Sequence, residues 1–395
     1  MNIIVCTSID LQIPCAAINR IDHLKRALKP LGVNIYICGS SNQIKNNYSI
    51  EKDKIYFRKK NKFKFLPKAI KYNINAGIFY SENLGLIIKQ LKIEGIIIYS
   101  MFSTLIEPIE RVARKEKIFV ITDGGEKYSV NLQNLLNGIN YMQYRAIFYS
   151  LKKVDGLMVC SPRWQNYANS IGKRSILFPS FLPENGNLDS KISRTKNNKF
   201  RVVFMGSISP REKPKTIFNA ILICQKLGYN FQLTIIGRQS FNLVQKISFK
   251  SLSREFKNNK DIKFTGFISD SERNILLNSA DCLVLLRPPC KETYHLFPTR
   301  LPEYFKTQKP VILTKLEPFS FFYEHKKEVY FIKSNNRAKD LANAFIDLYK
   351  NPKLSAEIGF NGYKYAEINY SYENLGVKIK NFIENLYQKN KNRIR

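Results

Sequence analysis

Residues 297 to 313, FPTRLPEYFKTQKPVIL, place a single carboxylate, Glu303, in the first turn of a short helix that then runs into the apolar segment Val311, Ile312, Leu313. A carboxylate there opposes the positive end of the helix dipole. Pro298 precedes the helix and Pro302 lies in its first turn, where a missing N–H costs little. A second group of candidates follows a strand-like run ending on Gly206, with Arg211 and Lys213 in the next loop. A glycine at such a place lets a ligand approach the backbone closely. In a third stretch, ITDGGEKY, Asp123 and Glu126 flank two glycines at a strand end; Asp123 there serves equally well as a helix cap. Metal chemistry has less to stand on. The three histidines, His23, His295 and His325, show no ligand spacing, and the seven cysteines form no CxxC pair, so the thiols read as small core residues without disulfides or zinc.

Charge points to an anionic partner without choosing one. Lys and Arg number 64 against 31 Asp and Glu, a net charge of +33, and such a field attracts nucleic acid, anionic lipid or a phosphorylated substrate alike. No helix-turn-helix, RNP-like or zinc pattern accompanies it, so no nucleic-acid partner is expected. Residues 56 to 72, YFRKKNKFKFLPKAIKY, interleave cations such as Arg58, Lys59, Lys60 and Lys62 with Phe63, Phe65 and Leu66. That pattern suits peripheral contact with an anionic membrane surface, and equally a solvated basic loop. The longest apolar run, Ile96 to Ile106, is interrupted by polar residues and is too short to span a bilayer. Met1 leads directly into Ile3, Ile4 and Val5 without the basic lead of a signal peptide. A cytoplasmic location is therefore expected, with the membrane contact on the cytoplasmic face.

The elements that must position these residues repeat one plan. NIIVC (2 to 6), an amphipathic helix over 21 to 32 and VNIYICG (33 to 39) make a βαβ opening, continued by strands at 95 to 100, 117 to 123 and 156 to 161. The stretch 183 to 199 loses periodicity and fills with Asn, Ser, Lys and Gly, as a linker does. A second alternating unit follows, with strands at 200 to 208, 231 to 237, 261 to 267, 282 to 286 and 310 to 314. The expectation is an α/β protein with two parallel sheets covered on both faces. Its domains are 1–182 and 183–371, and an amphipathic helix over 372–395 returns to the first.

In the second half, the order Gly206, SPREKPKTIFNAI, TIIGR, KFTGFISDSERNILLNSADCLVLL and FPTRLPEYFKTQKPVIL resembles the family-4 glycosyltransferases. The first half matches more loosely through SPRW (161 to 164) and ITDGGEKY. The resemblance implies two Rossmann-like domains facing a central cleft, the GT-B architecture, and transfer of a sugar from a UDP or GDP sugar to a hydroxyl of a glycan or lipid-linked acceptor. It further implies retention of configuration, no metal or other cofactor, and a place in surface polysaccharide or glycoconjugate synthesis. On this resemblance Glu303 corresponds to the second glutamate of the Glu-x7-Glu motif and accepts hydrogen bonds from both ribose hydroxyls. Arg211 and Lys213 correspond to the cationic pair that stabilises the leaving diphosphate. Gly206, Gly237, Arg238, Phe267, Pro298, Thr299 and Arg300 fall on the donor side, the N–H groups near Thr299 and Arg300 facing the diphosphate. Ala16, Arg20, Asp123 and Glu126 fall on the acceptor side; Arg20 serves equally as a phosphate contact, as a cap of helix dipoles or as the partner of an acid.

The chain departs from the family pattern in two places. His295 stands where the first glutamate is usual, and is taken as a catalytic-side variation. Gln308 stands where a glycine usually ends the helix. Rival readings are a nucleotide-sugar epimerase of the same fold, a basic nucleic-acid-binding protein and a catalytically silent sugar-binding relative.

Overall fold

A computed structural model of the 395-residue chain describes residues 1–13, 15–44, 47–58, 68–100, 102–124, 146–184, 199–206, 212–237, 259–290, 293–335 and 337–394. The side chains of residues 68–70 and 394 are not included in that description. Most of the basic stretch 56 to 72 and most of the 183–199 linker lie outside the described residues, as do Arg211, Arg238 and Glu126. The chain divides into two compact units. The first comprises Met1–Phe181, His295–Phe297 and Ser371–Arg395; the second comprises Leu182–Tyr294 and Pro298–Tyr370.

In the first unit, β1 (Asn2–Asp10) is followed by α1 (Ala16–Leu28), β2 (Asn34–Ser41), β3 (Tyr48–Glu51), β4 (Lys54–Arg58), α2 (Lys68–Leu91), β5 (Gly95–Ile98), α3 (Ser103–Lys115), β6 (Phe119–Asp123), β7 (Gly156–Val159), α4 (Pro162–Ser170) and β8 (Arg174–Leu177). They form an eight-stranded sheet in the order β3-β4-β2-β1-β5-β6-β7-β8. Only the β3–β4 pair is antiparallel, a hairpin at the sheet edge. Helices pack on both faces, so the central strands are apolar throughout: Ile3, Ile4, Val5 and Cys6 of β1 and Ile96 to Ile98 of β5 are fully buried. The hairpin and the 24 residues of α2 interrupt the simple alternation read from the sequence, because they pair and pack locally before the chain returns to the sheet.

The second unit runs β9 (Phe200–Met205), α5 (Pro214–Lys226), β10 (Phe231–Ile236), β11 (Ile262–Gly266), α6 (Asp270–Asn278), β12 (Cys282–Leu285), α7 (Leu301–Lys306), β13 (Val311–Thr314), α8 (Glu317–Phe322), β14 (Tyr330–Ile332), α9 (Ala338–Lys350) and α10 (Pro352–Tyr370). Its six strands take the order β11-β10-β9-β12-β13-β14, and all pair parallel. In strand-of-unit terms this is 3-2-1-4-5-6, the doubly wound order, whose direction of winding reverses between β9 and β12. The last helix, α11 (Tyr372–Ile394), packs on the first unit. A Cβ at Gly156 would lie 2.6 Å from Leu386 Cδ1 and 2.8 Å from Phe382 Cζ, so β7 opens with a glycine where that helix presses on it. Tyr387 of the same helix donates to Glu94 at 2.8 Å.

Gln308 closes α7 in a left-handed conformation, φ +55°, its N–H donating to the Phe305 carbonyl at 3.0 Å. Its own carbonyl lies so close to Gly359 of α10 that a Cβ there would be 2.1 Å away. The turn thus needs the geometry that a glycine would adopt freely and takes it with an L-residue, at a cost of about 1–2 kcal/mol. Glycine's greater freedom in the unfolded chain offsets part of the gain on replacement, about 0.5–1 kcal/mol. Gln308→Gly is expected to stabilise the protein by about 0.5–1 kcal/mol, raising the urea midpoint without altering the slope; a lower midpoint would contradict this account of the turn.

Candidate functional site

Open α/β sheets place ligands beyond the carboxyl ends of their strands, at the point where the strand order reverses. In the second unit that point lies between β9 and β12, which pair through Cys282↔Val202 and Leu283↔Val203. The chain leaves β9 at Gly206 and β12 just before Arg287. Around this point the fold gathers a buried ionic cluster. Glu212 Oε2 accepts from both Arg287 Nη1 and Arg300 Nη2, and the three side chains are 6%, 7% and 16% exposed. Arg287 Nη1 also donates to the Leu286 carbonyl at 3.1 Å, and the Arg287 N–H is taken by Thr314 Oγ1 at 3.0 Å. Arg300 lies over the Phe204 ring, 5.6 Å from its centre, while its Nε is buried without a hydrogen-bond partner.

The glycines at this place are explained by that cluster. Gly206 has φ +150°, and a Cβ on it would stand 2.1 Å from Arg300 Nη1. The room that the sequence reserves for a pyrophosphate is, in the structure, where the Arg300 guanidinium comes up against the backbone. Gly237 has a packing reason as well, since a Cβ there would lie 2.1 Å from the Gly206 carbonyl oxygen. Its N–H donates to the Gly266 carbonyl at 3.1 Å, and that of Gly206 to the Ile236 carbonyl at 2.8 Å, so three strand ends are laced together.

Lys213 stands next to Glu212, half-buried, as the N-cap of α5, with φ 51° and ψ 44°. A side-chain-bearing residue in the left-handed region is costly and concentrates where function fixes the backbone. Among the described residues its ammonium forms no ion pair or hydrogen bond.

Tyr304 anchors the helix that carries Glu303. Its hydroxyl accepts the Met205 N–H at 2.7 Å, tying α7 to the end of β9, and burial pushes the phenol up to about 12. Glu303 itself is half-buried and pairs with Arg273 Nε at 3.5 Å. Burial raises its carboxyl above the usual carboxylate range; Arg273 pulls it down, Asp270 pushes it further up, and Arg300 and Lys306 pull down less strongly. Arg273 is shared with Asp270 Oδ1 at 2.7 Å, so it is not committed to Glu303 alone. Pro298 is buried and its carbonyl accepts the Leu301 N–H at 3.0 Å, whereas Thr299 is exposed. Phe267, just beyond the left-handed Gly266 (φ +72°), is 87% exposed.

In the first unit the sequence-suggested residues have other partners. Arg20 and Asp123 form a two-pronged pair, Nε to Oδ2 and Nη2 to Oδ1, each at 3.0 Å. Arg20 also donates to the Pro179 and Phe178 carbonyls at 2.8 and 2.7 Å and lies 3.7 Å over the Phe178 ring. Asp123 is 4% exposed. Of the readings of Arg20, pairing with an acid is the one seen, and the pair braces the carboxyl end of β6. The Asp123 carboxylate caps no helix among the described residues. Ala16 is the exposed first residue of α1. The His295 ring meets Trp164 edge-on at 5.6 Å, and its carbonyl accepts from Cys160 Sγ at 3.2 Å. The segment His295–Phe297 clusters with the first unit, so His295 sits apart from Glu303 and Lys213 in the division of the chain. Among the described residues, no group of three or more His, Cys, Asp or Glu side chains could hold a metal ion.

Glu212, Arg287 and Arg273 are absent from the sequence reading. Glu212 sits between two cations in REK, where a carboxylate reads as a local charge balance; nothing in the string reveals partners 75 and 88 residues away. Removing it strands two buried guanidinium groups, a loss of about 3–5 kcal/mol. Glu212→Ala is therefore expected to lower the stability of the second unit by that amount in denaturant titration, and an unchanged midpoint would contradict the cluster.

Residues 187–365 match the family model "Glycosyl transferases group 1". No curated protein matches the chain. Among solved structures, sucrose-phosphate synthase of Thermosynechococcus elongatus aligns with a TM-score of 0.72 and 14% identity, over 98% of this chain and 99% of that one. HepE of Anabaena in complex with UDP aligns with a TM-score of 0.69 and 13% identity, over 98% and 100%. A glycosyltransferase of Rickettsia africae ESF-5 gives 0.69 and 13%, over 98% of each chain. At these identities the likeness concerns the fold, while the family match rests on sequence, nearly all of it in the second unit. Residues 187–365 are thus a group 1 glycosyltransferase domain, and the chain that carries them is a glycosyltransferase of the two-sheet GT-B fold.

Proposed function

We propose that the second unit binds a nucleotide-sugar donor, with Glu303 on the ribose diol and with Lys213 and Arg300 on the diphosphate. The observation that carries this reading is the Glu212-held Arg300 guanidinium against Gly206, at the reversal point of the sheet, with the left-handed Lys213, which forms no ion pair among the described residues, next to Glu212 in the chain. Two cations held there, one of them fixed by a buried carboxylate, suit a ligand with adjacent negative charges. Glu303 offers two acceptor oxygens, the number that a vicinal diol needs. Phe267, an aromatic side chain left in water beside the end of β11, supplies a face on which a nucleobase can stack. A UDP or GDP sugar is the donor class; the UDP-bound state of the similar HepE fold supports the uridine nucleotide.

The transfer follows from these contacts. As the bond between the anomeric carbon and the phosphate oxygen breaks, negative charge grows on the diphosphate. Lys213 and Arg300 meet it without rearranging, because the backbone of one and the ion pair of the other are already fixed. An acceptor hydroxyl of a glycan or lipid-linked sugar bonds to the anomeric carbon and gives up its proton to the departing phosphate oxygen, and configuration is retained. The reading places the enzyme in surface polysaccharide or glycoconjugate synthesis. No helix among the described residues is long and apolar enough to cross a membrane.

Screening nucleotide-sugar donors by ligand-induced thermal shift tests the reading, since a ligand of the folded state alone raises the melting temperature. One UDP or GDP sugar is expected to shift it, and Glu303→Ala to abolish the shift with the fold intact; a broad panel with no shift would refute donor binding. Lys213→Ala is expected to lower kcat by about 10²–10³-fold, and a variant as fast as the parent would remove that residue from the mechanism.

The pH dependence has a definite sign. A carboxyl raised above its unfolded value stabilises the fold fully below that unfolded value, and the contribution disappears as pH rises through the raised one. Ionised Glu303 is therefore a cost to the unliganded protein at neutral pH, so Glu303→Gln is expected to hold or raise the melting temperature there. Donor affinity runs the other way: it falls on acidification as Glu303 takes up a proton, starting above the ordinary carboxylate range. Titration calorimetry of donor binding against pH checks this, and a Glu303→Gln protein with the same pH profile would contradict it.

A further inference from the structure

The amino ends of β6, β7 and β8, the edge of the first sheet opposite its ligand-binding ends, hold a cavity of ≈ 410 Å³. That size is within the range of small-molecule sites, roughly 300–1,000 Å³. Its walls come from four stretches of the chain: 110–120, from the end of α3 into β6; 152–155, before β7; Lys173, before β8; and 390–393, in the tail of α11. Six cations line it, Arg114, Lys117, Lys152, Lys153, Lys173 and Arg393, against two carboxylates, Glu110 and Asp155.

Both carboxylates are already engaged. Glu110 takes Arg114 one turn along the same helix. Asp155 accepts the Val120 N–H at 2.9 Å and faces Arg393 at 3.3 Å. Lys153 turns to Glu107, at 3.6 Å. Among the described residues, Lys117, Lys152 and Lys173 form no ion pair.

Two features separate this place from the general basic surface. Lys117 is held in a left-handed conformation, φ +59°, and its carbonyl is clamped by Asn390 Nδ2 of α11 at 2.8 Å, so the chain is fixed in a costly geometry at the rim. Lys173 is half-buried: burial first, and then the cations Arg393 and Lys389, push its ammonium below the ordinary value, against the pull of Asp155 and Glu110. Like charges gathered in a concave, partly desolvated place repel one another until an anion joins them.

We propose that the first unit carries an anion site at this edge for a phosphate-bearing ligand, separate from the donor site of the second unit. Three ammonium groups without an ion pair among the described residues, with guanidinium groups at the rim, call for more than one negative charge at close spacing, which a phosphate ester or diphosphate supplies and a single carboxylate does not. Such a group comes either from a soluble phosphate ester or from the headgroup of an anionic lipid.

Titration calorimetry of the full chain with inorganic pyrophosphate, at about 150 mM salt to suppress the diffuse field, tests the site. The expected result is a saturable binding event that Lys117→Gln/Lys173→Gln weakens by about tenfold or more. Lys226→Gln/Lys353→Gln removes the same charge from exposed positions of the second unit and is expected to leave that event unchanged, as is Lys213→Gln in the donor site. The proposal is overturned if the first double variant titrates like the parent, if the exposed pair weakens binding equally, or if Lys213→Gln alone abolishes it. Sedimentation with phosphatidylglycerol but not phosphatidylcholine vesicles, lost in Lys117→Gln/Lys173→Gln, identifies a lipid headgroup as the source; pyrophosphate binding without sedimentation identifies a soluble ester.

Discussion

One buried carboxylate organises the second unit. Glu212 holds Arg287 and Arg300, which reach it from the ends of β12 and from the start of α7. A carboxylate and guanidinium groups out of water are costly singly and tolerable only together, so the cluster ties three points of the chain to one another: Glu212 before α5, Arg287 after β12 and Arg300 at the entry to α7. Lys213 follows Glu212 directly, and Glu303 lies three residues after Arg300. Both functional candidates are thereby mounted on the same ionic post. Tyr304 supplies a second attachment, from α7 to Met205, which leaves the helix little freedom to swing the Glu303 carboxylate.

Much of the architecture is legible in the sequence because parallel strands buried on both faces must be apolar runs, as in Ile3–Cys6 and Leu283–Leu286. The positions of Gly206, Lys213 and Glu303 at element ends are legible for the same reason. What the sequence hides is pairing at a distance. The Arg20–Asp123 bond joins residues 103 apart, and in the string each looks like an isolated polar group near a strand end. The Gly206 side of the site is hidden in another way: a missing side chain indicates close approach, but only coordinates say that the approaching group includes Arg300. Gln308 and Lys213 adopt left-handed backbone without glycine, a conformation that residue type alone argues against.

The two units treat positive charge differently. In the second, among the described residues, Arg300 is held near the end of β9 by a buried carboxylate and Lys213 is set by its backbone, which suits recognition of one diphosphate in one orientation. At the amino-end edge of the first sheet they are numerous and partly unpaired, which favours a multivalent anion with looser orientation. The overall excess of 64 basic over 31 acidic residues therefore includes at least two local arrangements whose geometry a diffuse surplus does not require.

The most direct measurement is a crystal structure of the chain with a bound nucleoside diphosphate. The account predicts both ribose hydroxyls within hydrogen-bonding distance of the Glu303 carboxylate and phosphate oxygens in contact with Lys213 and Arg300, the latter still held by Glu212. A diphosphate seated away from Gly206, with Glu303 left on Arg273 and Lys213 in solvent, would contradict it.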